Sequence, residues 1–347
     1  MTTPEGTSLC IVTLDRPEKL AQQVKAIRTH ATGEYEIIIV DNGSGPRVQG
    51  LLSEFEASGI TIIRNGENLG LSVATNQGLE AGKYDALIHL DDDALIGSPG
   101  WNQVMRDFLM RPEIGIVKPT RSLHCIDHGD YQEIPWGLGI CWGITKELFD
   151  DIGGYDPQLY HQNECDMDLR CRMAGFRVAA IQHFSVKHND GSGPRSEMSL
   201  ARENFGTVQF RDKWCQYFRG RDWNFGTQPL YLMQHWPPDQ EFFRRFSLAH
   251  GVDLNPAPEG MSAEVSTVHE IREEFDKKLL DNNMKILING TQWLVWRDLK
   301  NDYAHWEWKH NPHVYEEGRQ GHIDNWERLT GEQYTGYKWP HNLLRPY

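Results

Sequence analysis

The sequence predicts an α/β fold whose central sheet is mostly parallel and is flanked by helices. Four short runs are continuously apolar, namely SLCIVTL, YEIIIV, GITII and YDALIHL. Segments with apolar residues at helical spacing separate some of them, such as RPEKLAQQVKAIRTH and SVATNQGLEAG. Strands that are apolar on both faces are covered on both faces, and helices that connect such strands make them parallel.

The same alternation continues to about residue 220 and then stops. HQNECDMDLRCRMAGFRV is helical from about residue 163 to 174, and VAAIQHFSVKH is typical of a strand. A long helix over roughly residues 197–217 closes this unit. We therefore predict one α/β domain over residues 1–220, followed by a mainly helical, aromatic-rich extension over residues 221–347.

Bulk composition argues against a nucleic-acid partner and against a membrane protein. The 347-residue chain has a formal net charge of −14 and a pI near 5.5, which opposes attraction to polyanions. No stretch approaches the ~20 apolar residues of a membrane-spanning helix, and the first residues lack the order of a signal peptide. The six cysteines include no Cys-x-x-Cys pair, as expected for reduced thiols. We expect a cytoplasmic location.

Polar residues follow the predicted strands at the points where they end. They are Thr13, Asp15, Arg16, Asp41 and the triplet 91–93. The carboxyl ends of parallel strands lie at one edge of a sheet, where ligands of such folds bind. Three neighbouring carboxylates repel one another in a partly dry site, so we expect a cation beside the triplet. A solvated turn, or acids at the start of the next helix, is the alternative.

Six motifs occur in an order and spacing that resemble family 2 of the inverting glycosyltransferases, which have the GT-A fold. The motifs are IVTLDRPEKL, EIIIVDNGS, NLGLSVATNQGL, LIHLDDDALI, GGYDPQLYHQNECDMDLRCRMAGFRV and VKHNDGSG, and they cover roughly residues 8–195. The resemblance implies transfer of a sugar from a nucleotide diphosphate donor, expected to be a UDP-sugar, to an acceptor hydroxyl. The acceptor is expected to be a glycan, a protein or another hydroxyl compound.

The resemblance implies that the donor binds at the ends of the first four strands. The implied donor-binding residues are Thr13, Asp15, Arg16, Asp41, Asn68, Gly70, Asn76, Asp91 and Asp92. Asp41 is expected to accept hydrogen bonds from the nucleotide base, and an Asx turn in DNGS is the alternative. Asn68, Gly70 and Asn76 surround a helix start whose N–H groups favour anionic oxygen, or they only shape and cap that helix.

The acidic triplet and a distant histidine form the implied metal site. In the family comparison the Asp-x-Asp motif corresponds to Asp91 and Asp93, and a histidine before a Gly/Ser loop corresponds to His188. Such ligands suit Mn²⁺ or Mg²⁺, which in turn hold a diphosphate. Side chains alternate along an extended segment, so Asp92 is expected to point away from its two neighbours. A purely structural role for His188 is the alternative.

The catalytic base is predicted near the start of the helix over residues 163–174. The family motif is Glu-Asp-x-Asp, and aligning its last residue with Asp168 places Asp166 on the base position. Cys165 replaces the glutamate of the motif, and Glu164 lies one residue before it. On a helix these two side chains point in different directions, so they cannot both serve one acceptor. We favour Asp166 and retain Glu164 as the second candidate. First-turn acids that only complement the helix dipole are a third interpretation.

Other interpretations of the sequence stay open at this point. Trp136 and Trp142 in WGLGICWG either line the acceptor side or belong to the core. A sugar nucleotidyltransferase shares this kind of fold, but TLDRPEKL has no glycine for the phosphate loop that such enzymes need. A sugar-binding or assembly protein that has lost the chemistry is the other alternative. The extension over residues 221–347 is a candidate surface for homo-oligomer contacts.

Overall fold

The computed structural model describes residues 3–120, 126–134, 137, 139–188, 196–215, 285–288, 291–294, 312–340 and 342–343. The strands are β1 (Thr7–Thr13), β2 (Tyr35–Asp41), β3 (Thr61–Arg64), β4 (Ala86–Asp91), β5 (Ala94–Ile96), β6 (Ile114–Lys118), β7 (Ile126–Asp127), β8 (Gln132–Glu133), β9 (Cys141–Thr145), β10 (Arg177–Ala180), β11 (Val186–His188), β12 (Lys285–Ile288) and β13 (Thr291–Leu294). The helices are α1 (Pro17–His30), α2 (Pro46–Ala57), α3 (Leu71–Glu80), α4 (Trp101–Leu109), α5 (Lys146–Ile152), α6 (Asn163–Met173), α7 (Glu197–Cys215) and α8 (Pro312–Thr330).

A nine-stranded sheet has the order β3-β2-β1-β4-β9-β6-β10-β8-β7. Strands β3, β2, β1 and β4 are parallel neighbours, and β6 and β10 are also parallel. Strand β9 runs antiparallel between β4 and β6, and β8 runs antiparallel to β10 and β7. The predicted α/β fold with a mostly parallel sheet is confirmed, because helices connect the buried strands and cover them.

Two hydrophobic clusters cover the two faces of the sheet. In β1, Leu9 and Ile11 belong to the cluster that contains buried residues of α1, α2 and α4. Cys10 belongs to the second cluster, with buried residues of α3, α5 and α6. A fully buried Leu or Ile side chain contributes about 1.5–3 kcal/mol relative to an exposed one. Burial on both faces explains why the strand sequences are continuously apolar.

Helix α3 approaches the sheet closely at Gly78. A Cβ atom on this residue would lie 2.0 Å from Sγ of Cys10 in β1. The residue before the helix, Gly70, has a φ of 86°, which glycine adopts without the strain that a Cβ atom would cause. The start of α3 lies near the ends of β1 and β4, since Gly70, Thr13 and Asp91 line the same cleft.

The part of the C-terminal extension that the structure describes includes helix α8 and the strands β12 and β13. Helix α8 packs against α7 through a third hydrophobic cluster, in which the rings of Phe205 and Trp326 stack with centroids 4.9 Å apart. Strands β12 and β13 form an antiparallel pair. After α8, residues 331–340 have irregular conformation, and we call them the strap. The domain boundary at residue 220 and the homo-oligomer contacts stay predictions.

Among the helices within the described ranges, none is both long enough and apolar enough to cross a membrane.

Candidate active site

A cleft with a volume of about 720 Å³ opens at the carboxyl ends of β1 and β4. One wall comes from the end of β1 and the start of α3, and Asp91 and Asp92 lie between the walls. The opposite wall comes from the loop before α6, the first turn of α6, α7 and the strap. The residues of this opposite wall are Pro157, Leu159, Tyr160, His161, Gln162, Asn163, Glu164, Arg202 and Glu332.

Asp92 is a buried link between β1 and the acidic triplet. Its Oδ2 atom accepts a hydrogen bond of 2.8 Å from the Thr13 hydroxyl, and its Oδ1 atom accepts one of 3.1 Å from Arg16. Burial raises the pKa of Asp92 above its usual range, although these two hydrogen bonds oppose the rise. Asp92 is thus bound to Thr13 of β1 and to Arg16, whereas Asp91 and Asp93 converge with His188, and the predicted donor-binding role of Asp92 stays a prediction.

Asp93 is surrounded by three nitrogen-bearing side chains. The ammonium of Lys19 lies 2.7 Å from its Oδ2 atom, the guanidinium of Arg16 lies 3.2 Å from the same oxygen, and Nε2 of His188 lies 3.2 Å from Oδ1. Burial alone would raise the pKa of Asp93, but the hydrogen bond from Lys19 and the charges of His188 and Arg16 lower it. Asp93 is therefore a stable carboxylate at neutral pH.

Asp91, Asp93 and His188 bring one ligand atom each to within 4.8 Å of one another. Strand β11 pairs with β5 so that His188 lies opposite Ala94, directly after Asp93 in the chain. The buried His89 contacts Asp91, with 3.2 Å between Nε2 and Oδ1. Two carboxylates and one imidazole form a donor set that a divalent cation of the Mn²⁺ type accepts, because it combines hard oxygen with nitrogen.

Asp41 ends β2 beside Thr13 of β1 and is fully buried. Its Oδ1 atom accepts a hydrogen bond of 2.9 Å from the backbone N–H of Ser44, and its Oδ2 atom accepts one from the amide of Gln49. The bond to Ser44 reaches the N–H three residues along the chain, whereas an Asx turn reaches two residues along, so the contact is related to the alternative named above but is not that turn. Asp41 holds the loop that follows β2, at the same edge of the sheet as the cleft.

The loop before α3 is fixed by Asn42, the residue after β2. Its side-chain amide donates hydrogen bonds to Oδ1 of Asn68 at 2.9 Å and to the carbonyl of Gly70 at 3.3 Å. Its side-chain oxygen accepts a hydrogen bond of 3.0 Å from the N–H of Leu69. Asn42, Asn68 and Gly70 all line the cleft, so this wall is held in place from β2.

Glu164 lies in the first turn of α6 and lines the cleft. Burial raises the pKa of Glu164, the charges of Asp91 and Asp168 raise it further, and Lys118 opposes them. A Cβ atom on Gly139 would lie 2.1 Å from Oε1 of Glu164, so glycine at that position leaves room for the carboxylate. Gln162, just before the helix, has a φ of 67°, which is rare for a residue with a side chain.

Asp166 faces away from the cleft and is fully buried. The ammonium of Lys213 lies 2.6 Å from its Oδ1 atom, and the Trp214 indole donates a hydrogen bond of 3.0 Å to the same oxygen. Arg170 donates a hydrogen bond of 3.0 Å to Oδ2. Burial would raise the pKa of Asp166, but Lys213 and Arg170 hold it below its usual range. This geometry contradicts the preference for Asp166 as the base, since its carboxylate is occupied on the far side of the helix.

Comparison with known proteins concerns the domain that contains this cleft. The sequence profile of the family described as Glycosyl transferase family 2 matches residues 8–164, which run from β1 to Glu164. These residues form a family 2 glycosyltransferase domain. An uncharacterized glycosyltransferase of Haemophilus influenzae is 24% identical over 181 residues, which cover 47% of this chain and 60% of that protein.

Two further proteins resemble the family 2 domain more distantly. The poly-beta-1,6-N-acetyl-D-glucosamine synthase of Staphylococcus epidermidis is 25% identical over 114 residues, or 33% of this chain and 28% of that protein. The mannosyltransferase PcManGT of Pyrobaculum calidifontis, solved with GDP-Man and Mn²⁺, has a TM-score of 0.55 at 14% identity. That likeness covers 81% of this chain and 82% of that chain and concerns the fold alone. The chain thus spans 60% and 28% of its two curated relatives.

Two predicted donor-binding residues of the family 2 domain have other contacts. Both polar atoms of the Asn76 side chain bind the backbone of Tyr155, at 2.8 and 2.7 Å, and Asn76 does not line the cleft. Asp15 accepts a hydrogen bond of 2.7 Å from the N–H of Gly45 and has a φ of 54°. In this structure these side chains hold the domain's loops and helices together, and their donor-binding role stays a prediction.

Trp142 of the family 2 domain is buried in the core, with 1% of its surface exposed, so the core interpretation of this residue is right. Trp136 lies outside the described residues.

Two lysines at the site were not predicted from the sequence. Lys19 binds Asp93, and Lys118 binds Asp168 at 2.7 Å beside Glu164. Lys118 ends the apolar run IGIVK, which is a recognisable signal at the carboxyl end of a strand.

Proposed function

We propose that this protein is a metal-dependent inverting glycosyltransferase that moves a sugar from a nucleotide diphosphate donor, in the first instance a UDP-sugar, to an acceptor hydroxyl. One observation carries the proposal: Asp91, Asp93 and His188 converge beside a cleft that also contains Glu164. A divalent-ion site and a carboxylate of raised pKa on one cleft are the groups that this reaction requires.

The diphosphate end of the donor lies at Asp91, Asp93 and His188 in this proposal. Mn²⁺ or Mg²⁺ held by these three residues would supply positive charge to the departing diphosphate. Arg16 and Lys19 already neutralise Asp93 and lie on the same side, so they are suited to bind phosphate oxygens once the metal occupies the carboxylates. Asp92 accepts hydrogen bonds from both Thr13 of β1 and Arg16, and so holds Arg16 in place.

Glu164 is the proposed catalytic base. It takes the proton of the acceptor hydroxyl as the oxygen attacks the anomeric carbon from the face opposite the diphosphate, which inverts the configuration. Its raised pKa suits this role, since a carboxylate near its ordinary pKa is a weaker base at neutral pH. The positive charge of Lys118 offsets part of the negative charge of Glu164 when Glu164 is ionised.

We place the acceptor against the wall formed by Tyr160, Arg202 and Glu332. Tyr160 exposes 39% of its surface, and its hydroxyl lies 3.1 Å from a carboxylate oxygen of Glu332. An exposed aromatic ring beside charged groups that form hydrogen bonds suits an acceptor with several hydroxyl groups. A glycan, a protein or another hydroxyl compound is compatible with this wall.

Thermal shift measurements with UDP-, GDP- and dTDP-sugars, each with and without Mn²⁺, test the proposal. A donor should raise the melting temperature with Mn²⁺ and much less without it, because binding to the folded state stabilises it. Asp93→Ala should lose this dependence on Mn²⁺. The control Asp130→Ala, which removes an exposed carboxylate paired with Arg111 at 2.6 Å, should keep it.

Product analysis separates the proposal from its two alternatives. A glycosyltransferase releases the nucleoside diphosphate from the donor, a nucleotidyltransferase releases pyrophosphate, and a binding protein releases neither. If no nucleotide sugar shifts the melting temperature of the wild type, or if Asp93→Ala responds to donor and Mn²⁺ as the wild type does, the proposed function is wrong.

A further inference from the structure

The first turn of α6 is held from the side opposite the cleft. Glu164 faces the cleft, while Asp166 binds Lys213 and Trp214 of α7, at 2.6 and 3.0 Å. Because both acids belong to the same helical turn, the position of Asp166 sets the position of Glu164. The residues that hold the turn carrying the proposed base are therefore on α7.

Lys213 joins two buried carboxylates. Its ammonium lies 2.6 Å from Asp166 and 2.8 Å from Asp156, and none of the three side chains has measurable exposure. Buried charges are stable only when they are paired, and loss of one partner leaves the others unsatisfied. Lys213 thus connects the turn at Asp156 to the start of α6.

The strap covers this ion cluster. The ammonium of Lys213 lies 4.5 Å from the ring centroid of Trp339 and 5.3 Å from that of Tyr337. The Tyr337 hydroxyl also donates a hydrogen bond to Asp156. Trp339 packs edge-on against Trp214, with centroids 5.4 Å apart. Burial lowers the pKa of Lys213, and Asp166 and Asp156 oppose this effect. Aromatic faces attract a desolvated cation, so the rings of the strap offset part of the cost of burying the ammonium.

The loop before α6 has further contacts with the strap and with α7. Gln158 donates a hydrogen bond of 2.6 Å to the carbonyl of Lys338, and Gln209 of α7 accepts one of 3.1 Å from the N–H of Tyr160. A Cβ atom on Gly206 of α7 would lie 2.4 Å from the backbone nitrogen of His161, which shows how closely the loop lies on this helix. Strap and α7 together fix the approach to Glu164.

We propose that the strap, far from Glu164 in sequence, is part of the catalytic centre. Tyr337 and Trp339 act through Lys213 and Asp166 as positioning residues that hold the first turn of α6 and so aim Glu164 into the cleft. This inference rests on the proposed role of Glu164 as the base. The donor-binding wall is formed by β1, β4 and the start of α3, so weakening the strap should affect transfer far more than donor binding.

The test compares Trp339→Ala with Trp339→Phe and the wild type in the full-length chain. The control is Arg328→Ala, which removes an exposed α8 partner of Glu197 but leaves the Lys213 cluster intact. Hydrogen–deuterium exchange is measured for peptides from residues 159–168 and for peptides from β1 and β4. Initial rates give kcat and the KM for the donor.

Trp339→Ala should exchange faster at residues 159–168 with little change in β1 and β4. Its kcat should fall by about 10- to 100-fold, as expected for a misplaced catalytic group, with the donor KM within about twofold. Trp339→Phe, which keeps an aromatic face, should recover most of the loss, and Arg328→Ala should match the wild type. If Trp339→Ala does not fold, Tyr337→Phe, which removes only the hydroxyl bound to Asp156, replaces it.

Unchanged exchange at residues 159–168 would overturn the inference, and so would faster exchange spread evenly over β1 and β4, which indicates general destabilisation. The exchange measurement needs neither donor nor metal. A wild type that transfers no sugar would therefore refute the proposed function, while the exchange result would still decide whether the strap holds the start of α6.

Discussion

Glu164 and Asp166 show how two acids of one helical turn come to have different chemistry. Glu164 faces the cleft near Asp91 and Asp168, and burial raises its pKa. Asp166 faces α7, where Lys213 and Arg170 lower its pKa against the effect of burial. A base must be available to accept a proton, whereas a carboxylate between two cations is a structural ion pair.

Substitution should separate these two roles. Glu164→Gln should lower kcat by about 10²- to 10⁴-fold, the usual contribution of a general base, with little change in melting temperature. Asp166→Asn should instead lower the free energy of unfolding by about 3–5 kcal/mol, because Lys213 and Arg170 lose a buried partner. Initial rates and chemical denaturation measure the two effects. A stable Asp166→Asn variant that loses activity while hydrogen–deuterium exchange at residues 159–168 stays unchanged would restore Asp166 as the candidate base, since a misplaced Glu164 would not explain the loss.

The raised pKa of Glu164 has a consequence for the dependence of activity on pH. The base acts when it is deprotonated, so kcat/KM should rise with pH through a value above the ordinary glutamate pKa of about 4.3. Rates measured over a pH series with saturating metal locate this rise. This rise of kcat/KM with pH should disappear in Glu164→Gln. A rise centred at or below the ordinary glutamate pKa would contradict the assignment of Glu164 as the base.

At the scale of elements, pairing between strands and close packing of helices bring the site together. Strand β11 pairs with β5, which places His188 beside Asp93. Helix α3 lies against β1 at Gly78, which places Gly70 at the cleft. Both contacts join segments that are far apart in the sequence, so no local pattern specifies their distances.

Two glycines in helices should respond to substitution in opposite ways. Gly78→Ala should destabilise the protein by about 1–3 kcal/mol, because its Cβ atom would lie 2.0 Å from Sγ of Cys10. Gly50→Ala, in α2, meets no atom within 4 Å and should stabilise the protein by about 0.5–1 kcal/mol through helix propensity. Urea denaturation of both variants tests the close approach of α3. Equal effects of the two substitutions would argue against it.

At the scale of the whole molecule, the C-terminal part of the chain is packed onto the domain that contains the cleft. Helix α8 and α7 share a cluster around Phe205 and Trp326, and Glu332 of the strap lines the cleft itself. Arg319 of α8 also pairs with Asp212 of α7. The division into residues 1–220 and 221–347 stays a prediction, but the two parts share a core in the described ranges.

Trp326→Ala tests this shared core. Trp326 exposes 3% of its surface, and truncation of a buried tryptophan costs about 3–5 kcal/mol. The whole domain should therefore melt at a lower temperature in a single transition. Gln320→Ala, an exposed change on the same helix, should have little effect. A variant that keeps the wild-type melting temperature would show that α8 does not stabilise the domain.

Much of the fold and part of the site were predictable because they depend on local patterns. Apolar runs that alternate with helices predicted the sheet, and polar residues at strand ends predicted the edge where Asp91, Asp93 and His188 meet. The contacts of Asp15 with Gly45 and of Asn76 with the Tyr155 backbone were not predictable, because a motif does not reveal which distant backbone groups a side chain binds.

The sequence by itself determined the alternation of strands and helices and the polar residues gathered at the edge of the sheet, since strand periodicity and polarity are short-range properties. Only the tertiary structure decided that Glu164 rather than Asp166 faces the cleft. That choice depends on Lys213 and Trp214, which bind Asp166 across the gap between α6 and α7. Pairing of buried charges is a long-range property, so it became visible only once the helices were placed.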